Sequence, residues 1–146
     1  MKLKQLSLFL ENKPGALSRP VRLLAKAGFN ILTLSIADTH QFGILRLILR
    51  DGAKAKQLLE KEGFVVKVTD MLAVEVADRP GGLAEILDLL EKSGINVEFM
   101  YAFTEKRKGH AVLIFRFDDP DAAARVLRKK GINVVDSGDL LKQLEG

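Results

Sequence analysis

The chain contains one turn twice. Glu-Asn-Lys-Pro-Gly-Ala-Leu stands at 11–17 and Asp-Arg-Pro-Gly-Gly-Leu at 78–83, so Pro14 and Pro80 lie 66 residues apart. The same shift pairs Leu17 with Leu83, Leu24 with Leu90, Gly28 with Gly94, Asn30 with Asn96, Gly43 with Gly109 and Arg50 with Arg116. Beyond 118–120 the shift becomes 68, pairing Leu59 with Leu127, Gly63 with Gly131 and Val66 with Val134. Glycines kept in register over such a distance identify two copies of one unit. The boundaries expected are 1–69 and 70–146, with almost no linker.

Each copy reads the same way. Leu6, Leu8 and Leu10 alternate with other residues, as do Leu72, Val74 and Val76; period-2 patterning predicts a strand. Beyond the turn, Leu17, Val21 and Leu24 repeat with helical spacing, as do Leu83, Ile86, Leu87 and Leu90. Gly28 and Gly94 sit where a helix stops in the left-handed conformation. Pro20 belongs to the first helical turns, where a missing N–H does least harm. Strands are expected at 30–38, 44–50 and 64–69, and again at 96–104, 110–117 and 132–136. Second helices are expected at 52–62 and 120–130, with Asp119 or its neighbour capping the later one ahead of Pro120. A terminal helix follows at 137–145. The order βαββαβ, written twice, predicts an α+β fold: two tandem ferredoxin-like units, each a four-stranded antiparallel sheet with two helices on one face. Leu45, Leu47, Leu49, Leu113, Phe115 and Phe117 would face the helices. Phe9, Ile44, Ile48, Val112 and Ile114 would fall on the other face. They are too apolar for a wetted sheet and predict a cover by the other repeat or a second chain.

The Pro-Gly turn joins a strand end to a helix start. Proline suits the first helical position. Asn12 and Asp78, two residues earlier, can accept from an early helical N–H or fix the turn. Gly15 and Gly81 lack a Cβ, so another object can approach the backbone closely. Free N–H groups at a helix start attract a carboxylate, and a neighbouring Asn or Asp oxygen can meet an ammonium. Those are the two ends of a free amino acid.

These features, with Gly-Phe-Asn-Ile at 28–31 and Gly-Ile-Asn-Val at 94–97 entering the second strand, make each repeat resemble an ACT domain. ACT domains are small βαββαβ modules that regulate amino-acid metabolism. The resemblance covers nearly the whole chain as a tandem pair. It implies a ligand held between two ACT units by the loop after the first strand and by the second strand of the neighbour. The loop residues so implied are Asn12, Pro14, Gly15, Ala16 and Leu17, with Asp78, Pro80, Gly81, Gly82 and Leu83; Leu34, Ser35, Met100 and Tyr101 are the second-strand candidates. It further implies a non-catalytic sensor of a small amino acid. Such a sensor would act as a homo-oligomer, expected to be a dimer, and signal to a separate enzyme or regulator. Neither cofactor nor metal is expected.

Composition narrows the alternatives. Without cysteine, disulfides, thiolate metal sites and a cysteine nucleophile are excluded. No apolar run approaches the ~20 residues of a membrane span, and no signal peptide is evident, so a cytoplasmic protein is expected. The charge is uneven, with net +6 over residues 1–70 and net −2 over the rest. Two other classes remain in view. One is an assembly module whose loops bind nothing. The other is RNA binding, since 108–115 resembles the ribonucleoprotein octamer on a third strand. Its base-stacking positions, however, are His110 and Val112, at most one ring. The two histidines are not repeat-equivalent and have no nucleophile beside them. Asp118, Asp119 and Asp121 lack the glycine and distal glutamate of a calcium loop.

Overall fold

The computed structural model describes residues 2–107 and 109–145. Its chain divides into two compact units: Lys4–Thr69, and a second running from Asp70 onward that also takes in Lys2 and Leu3. Lys108, the first residue of the octamer-like stretch 108–115, lies outside the described residues.

The first unit contains β1 (Leu3–Glu11) from Lys4 onward, α1 (Ser18–Lys26), β2 (Ile31–Asp38), β3 (Phe42–Leu49), α2 (Gly52–Lys61) and the start of β4 (Val66–Ala77). The second continues with α3 (Gly82–Lys92), β5 (Val97–Arg107), β6 (His110–Phe117), α4 (Pro120–Lys129), β7 (Val134–Val135) and α5 (Ser137–Glu145). The βαββαβ order is therefore present twice, in antiparallel sheets. β3 lies between β1 and β2, with Leu8 opposite Leu45 and Leu34 opposite Leu47. β6 lies between β4 and β5, with Val74 opposite Leu113 and Met100 opposite Phe115. β7 pairs with the other edge of β4, Val134 opposite Val74.

Two cores follow from the alternation. Leu6, Leu8, Leu10, Leu45, Leu47 and Leu49 pack with Leu24, Ala55 and Leu59. In the second unit Leu72, Val74, Val76, Phe115 and Phe117 pack with Ile86, Leu90 and Leu127. Phe115 and Phe117 share a face at i and i+2, and their rings stack at 5.1 Å. Two stripe residues, Leu17 and Leu87, are exposed. The opposite sheet faces are unequal. Ile48, Val112 and Ile114 are buried within the single chain, whereas Phe9 is 54% exposed. Burial of Val112 removes a position that base stacking would need.

The helix ends are chemically marked. Asp51 and Asp119 cap α2 and α4, accepting from the amides of Lys54 and Ala122 at 3.5 and 3.1 Å. Pro120 occupies the first turn of α4, and Pro20 is buried in the first turn of α1. Gly28 and Gly94 have φ of 84° and 70° just beyond α1 and α3. The seam between the repeats differs from expectation. The predicted strand at 64–69 and the one that follows it are a single strand, β4. No glycine or proline falls between Phe64 and Arg79 to end it. The strand predicted at 132–136 is only Val134–Val135, and the one ending at 104 extends to Arg107.

Candidate functional site

The two Pro-Gly turns share one backbone pattern. In the first, the amides of Lys13, Ala16 and Arg19 donate to the carbonyls of Glu11, Lys13 and Gly15 at 3.1, 3.2 and 3.2 Å. In the second, Arg79, Gly82 and Glu85 donate to Ala77, Arg79 and Gly81 at 2.9, 3.0 and 3.0 Å. Each turn depends on a left-handed glycine, Gly15 at φ 86° and Gly81 at φ 87°. Both glycines are required by conformation, not by crowding within the chain. A Cβ on Gly15 would meet nothing within 4 Å, and one on Gly81 would meet only Arg79 Nη1, at 3.9 Å.

Two local expectations need correction, and of the two roles open to Asn12 the structure selects fixing the turn. Pro14 and Pro80 do not take the first helical position. They stand in the turn, ahead of helices that begin at Ser18 and Gly82. Both turns use the proline to fix φ, and the glycine after it then reverses the chain. Asn12 does not cap α1. Its Nδ2 donates to the His40 carbonyl at 2.9 Å and its backbone N–H to the Gln41 carbonyl at 2.9 Å. The side chain thus ties the first loop to the β2–β3 hairpin. Leu17, expected on the apolar stripe, is the residue preceding the helix and is 40% exposed.

The turns diverge at one side chain. A Cβ on Gly82 would collide with the Ala77 carbonyl. The equivalent Ala16 carries that methyl, so the first turn must stand off from the end of its strand. Its helix accordingly starts at Ser18, two residues later than the second by the repeat register. The first loop opens onto a cleft of about 420 Å³ lined by Pro14, Gly15, Ala16, Lys13 and Arg19, with Phe9, Leu10, Glu11, Gly63 and Phe64. In this cleft Lys13 pairs with Glu11 at 2.9 Å. The Arg19 guanidinium lies 4.7 Å from the centre of the Phe64 ring and donates to the Glu62 carbonyl at 3.0 Å.

Of the first-loop candidates, the cleft gathers Pro14, Gly15 and Ala16; Asn12 and Leu17 are not among its walls. In the second loop Asp78, Pro80 and Gly81 are exposed, Gly82 is buried, and Leu83 packs partly against the core. On β2, Leu34 is 48% exposed and shares the helix-side face with Leu47. Ser35 points to the opposite face beside Arg46, and its Oγ is buried without a hydrogen-bond partner. Met100 packs against the second core. Tyr101 is half-buried opposite Ile114.

Phe9, Leu10, Glu11, Lys13, Arg19, Gly63 and Phe64 also line the cleft, and the sequence did not single them out as site residues. For Gly63-Phe64 a local signal existed. The amides of Gly63 and Phe64 close α2 onto Glu60 and Leu59 at 3.0 Å each, the glycine-ended cap that a Gly-apolar pair signals. That this cap faces the first loop is decided only by the packing of α1 on α2.

A family model described as "ACT domain pair" matches residues 1–144. A solved protein from Bacteroides thetaiotaomicron is 37% identical, with a TM-score of 0.88 and 96% of each chain covered. The regulatory subunit of aspartate kinase from Thermus thermophilus shares the fold at 15% identity, with a TM-score of 0.64, covering 88% of this chain and 93% of that one. Among curated proteins, the acetolactate synthase isozyme 3 small subunit of Escherichia coli is 36% identical over 69 residues, 47% of this chain and 42% of that protein. The acetolactate synthase small subunit of Buchnera aphidicola subsp. Baizongia pistaciae is 33% identical over 88 residues, 60% of this chain and 55% of its own length. The chain thus spans about half the length of the curated relatives it matches.

Proposed function

The chain belongs to the ACT domain pair family, and from that premise we propose that it is a non-catalytic regulatory protein. It binds a small amino acid through its Pro-Gly loops and passes that signal to an enzyme of amino-acid metabolism. The observation that carries this reading is the open cleft at the first loop, lined by Pro14, Gly15 and Ala16. Left-handed Gly15 leaves its surroundings empty, so a ligand can approach the turn. Asn12, Leu17 and the second-strand residues Leu34 and Ser35 complete the proposed site when two ACT units meet. Asp78, Pro80, Gly81, Gly82, Leu83, Met100 and Tyr101 are their counterparts in the other repeat. The similarity to small and regulatory subunits supports a separate catalytic partner. Among the described residues no helix is long and apolar enough to cross a membrane.

The direct test is thermal denaturation of the chain with each of the twenty amino acids. A ligand at 100 times its Kd stabilises the folded state by about 2.7 kcal/mol, a rise of roughly 5–10 °C in Tm at this size. The wild type should show such a rise with at least one amino acid. Gly15→Val should melt lower, because a β-branched residue is strained at φ 86°, and should lose the rise by filling the cleft. If no amino acid shifts the wild type, the loops are only turns and the chain is an assembly module. The exposed apolar side chains of Phe9, Leu34, Ile36 and Phe42 favour that second reading.

A further inference from the structure

The first cleft holds a cation that no carboxylate among the described residues neutralises. Glu11 and Lys13 cancel each other at 2.9 Å. Arg19 is different: among the described residues its guanidinium has no carboxylate partner, only the Glu62 carbonyl at 3.0 Å and the Phe64 ring at 4.7 Å. Those two contacts fix the plane of the guanidinium against the cleft wall and leave further N–H donors unused. A planar, permanently charged donor held in advance is what recognition of a carboxylate requires. Its counterpart by the repeat register is Glu85, an acid in the first turn of α3. Glu85 accepts from Arg79 Nη2 at 2.9 Å, and Arg79 also reaches the Pro80 carbonyl at 3.4 Å. The second turn therefore already holds a carboxylate of its own beside the helix start, with an arginine on it. The cationic anchor exists on one side only.

We propose that Arg19 is the carboxylate anchor of the first cleft. It binds the α-carboxylate of the amino acid against Phe64, and the second loop, with Glu85 in that place, takes no such ligand. The chain then binds one ligand, not two. This deepens the amino-acid reading and rests on it. Phe9, Leu10 and Phe64 supply the apolar wall.

The experiment titrates the full chain with the pooled twenty L-amino acids and, separately, with the pooled α-amides of the same compounds. Melting is followed first. Isothermal titration with the amino acid then found to act gives affinity and stoichiometry. The wild type should respond to the acids and not to the amides, and should bind one equivalent per chain. Arg19→Met, whose side chain can still pack on Phe64, should weaken binding on the order of 10- to 100-fold. Arg19→Lys should retain part of the affinity, and Arg19→Glu should bind least. Arg22→Met, one turn further along α1, should bind as the wild type does. Ligand-free melting of each variant checks folding. Undiminished binding by Arg19→Met, an equal response to the amides, or two equal sites per chain would each overturn the inference while leaving the amino-acid reading in place. No response of the wild type to the acids would remove both.

Discussion

Gly82 and Ala16 occupy the same place in the two repeats and impose different geometries. The Gly82 backbone runs against the Ala77 carbonyl, where no Cβ fits. Gly82→Ala should therefore destabilise the chain by about 1–3 kcal/mol, as overpacking does. Denaturant midpoints measure it, and an unchanged midpoint would mean the second turn relaxes as readily as the first. Ala16→Gly should have a smaller effect, because it removes one half-buried methyl. Ser35 offers the opposite case. Its Oγ is buried without a partner, and such a group is unfavourable to keep. Ser35→Ala should leave stability unchanged or raise it by up to about 1 kcal/mol. A loss above that amount would show that the hydroxyl has a partner after all. Asn12 shows why a residue's type does not fix its contacts. Its amide can both donate and accept, and a cap needs only the acceptor. The His40 carbonyl, 28 positions along the chain, takes the donor instead.

At the scale of elements, patterning placed most of the strands and helices within a few residues, because period 2 and period 3.6 are properties of the local chain. α4 was legible down to its cap, since Asp119 and Pro120 stand together at its start; the Asp51 cap of α2 came only from the structure. The seam at β4 was not, because a strand boundary without glycine or proline leaves no local mark. The start of α4 also carries a pH prediction. Lys2 Nζ meets Asp121 Oδ1 at 2.9 Å. Hydrogen bonding from the Lys2 ammonium, with its charge, holds the Asp121 carboxyl below its ordinary range. The same bond raises Lys2 above its own. The contribution of the pair is present above the unfolded carboxyl pKa, about 3.9, and is lost as pH falls through the lower folded value. At the alkaline end it is complete below about 10.4 and is lost as pH rises through the higher folded value. Asp121 is exposed and Lys2 is only half-buried, so the effect is small and screened by salt. Urea midpoints of the wild type and Lys2→Met at low ionic strength should differ at neutral pH, and the difference should shrink as pH falls below the ordinary carboxyl range. A difference that does not shrink on acidification would assign the effect to something other than this pair.

For the whole molecule, the exposed apolar side chains of Phe9, Leu34, Ile36 and Phe42 predict association. β2 is the outer strand of the first unit's β2-β3-β1 order, and until Asp38 it carries no charge and no proline to guard its edge. Light scattering should give a dimer or larger at tens of micromolar, and Ile36→Lys with Phe42→Lys should shift it toward monomer. A wild-type monomer at that concentration would show that these side chains are left to solvent. The repeat itself was the most legible feature. The matches Gly15 with Gly81, Gly28 with Gly94 and Gly63 with Gly131 all prove to be left-handed pairs. Gly43 with Gly109 is the exception: Gly109 has φ 77°, whereas Gly43 lies in β3 against Ile36. The two hairpins were built differently under one spacing.

Sequence by itself determined the two copies, the βαββαβ order and the core faces of the strands. Each of these depends on neighbours within a few residues, or on a repeat visible in the chain. Only the tertiary structure decided which groups stand around the first loop. Glu11 to Arg19 and Gly63-Phe64 are brought together by α1 lying on α2, more than forty positions apart in the chain. Likewise, no local pattern distinguishes Arg19, fixed on Phe64, from any other exposed helical arginine. Its orientation is set by a ring and a carbonyl that arrive from the far end of another helix, and side-chain direction of that kind is a property of packing.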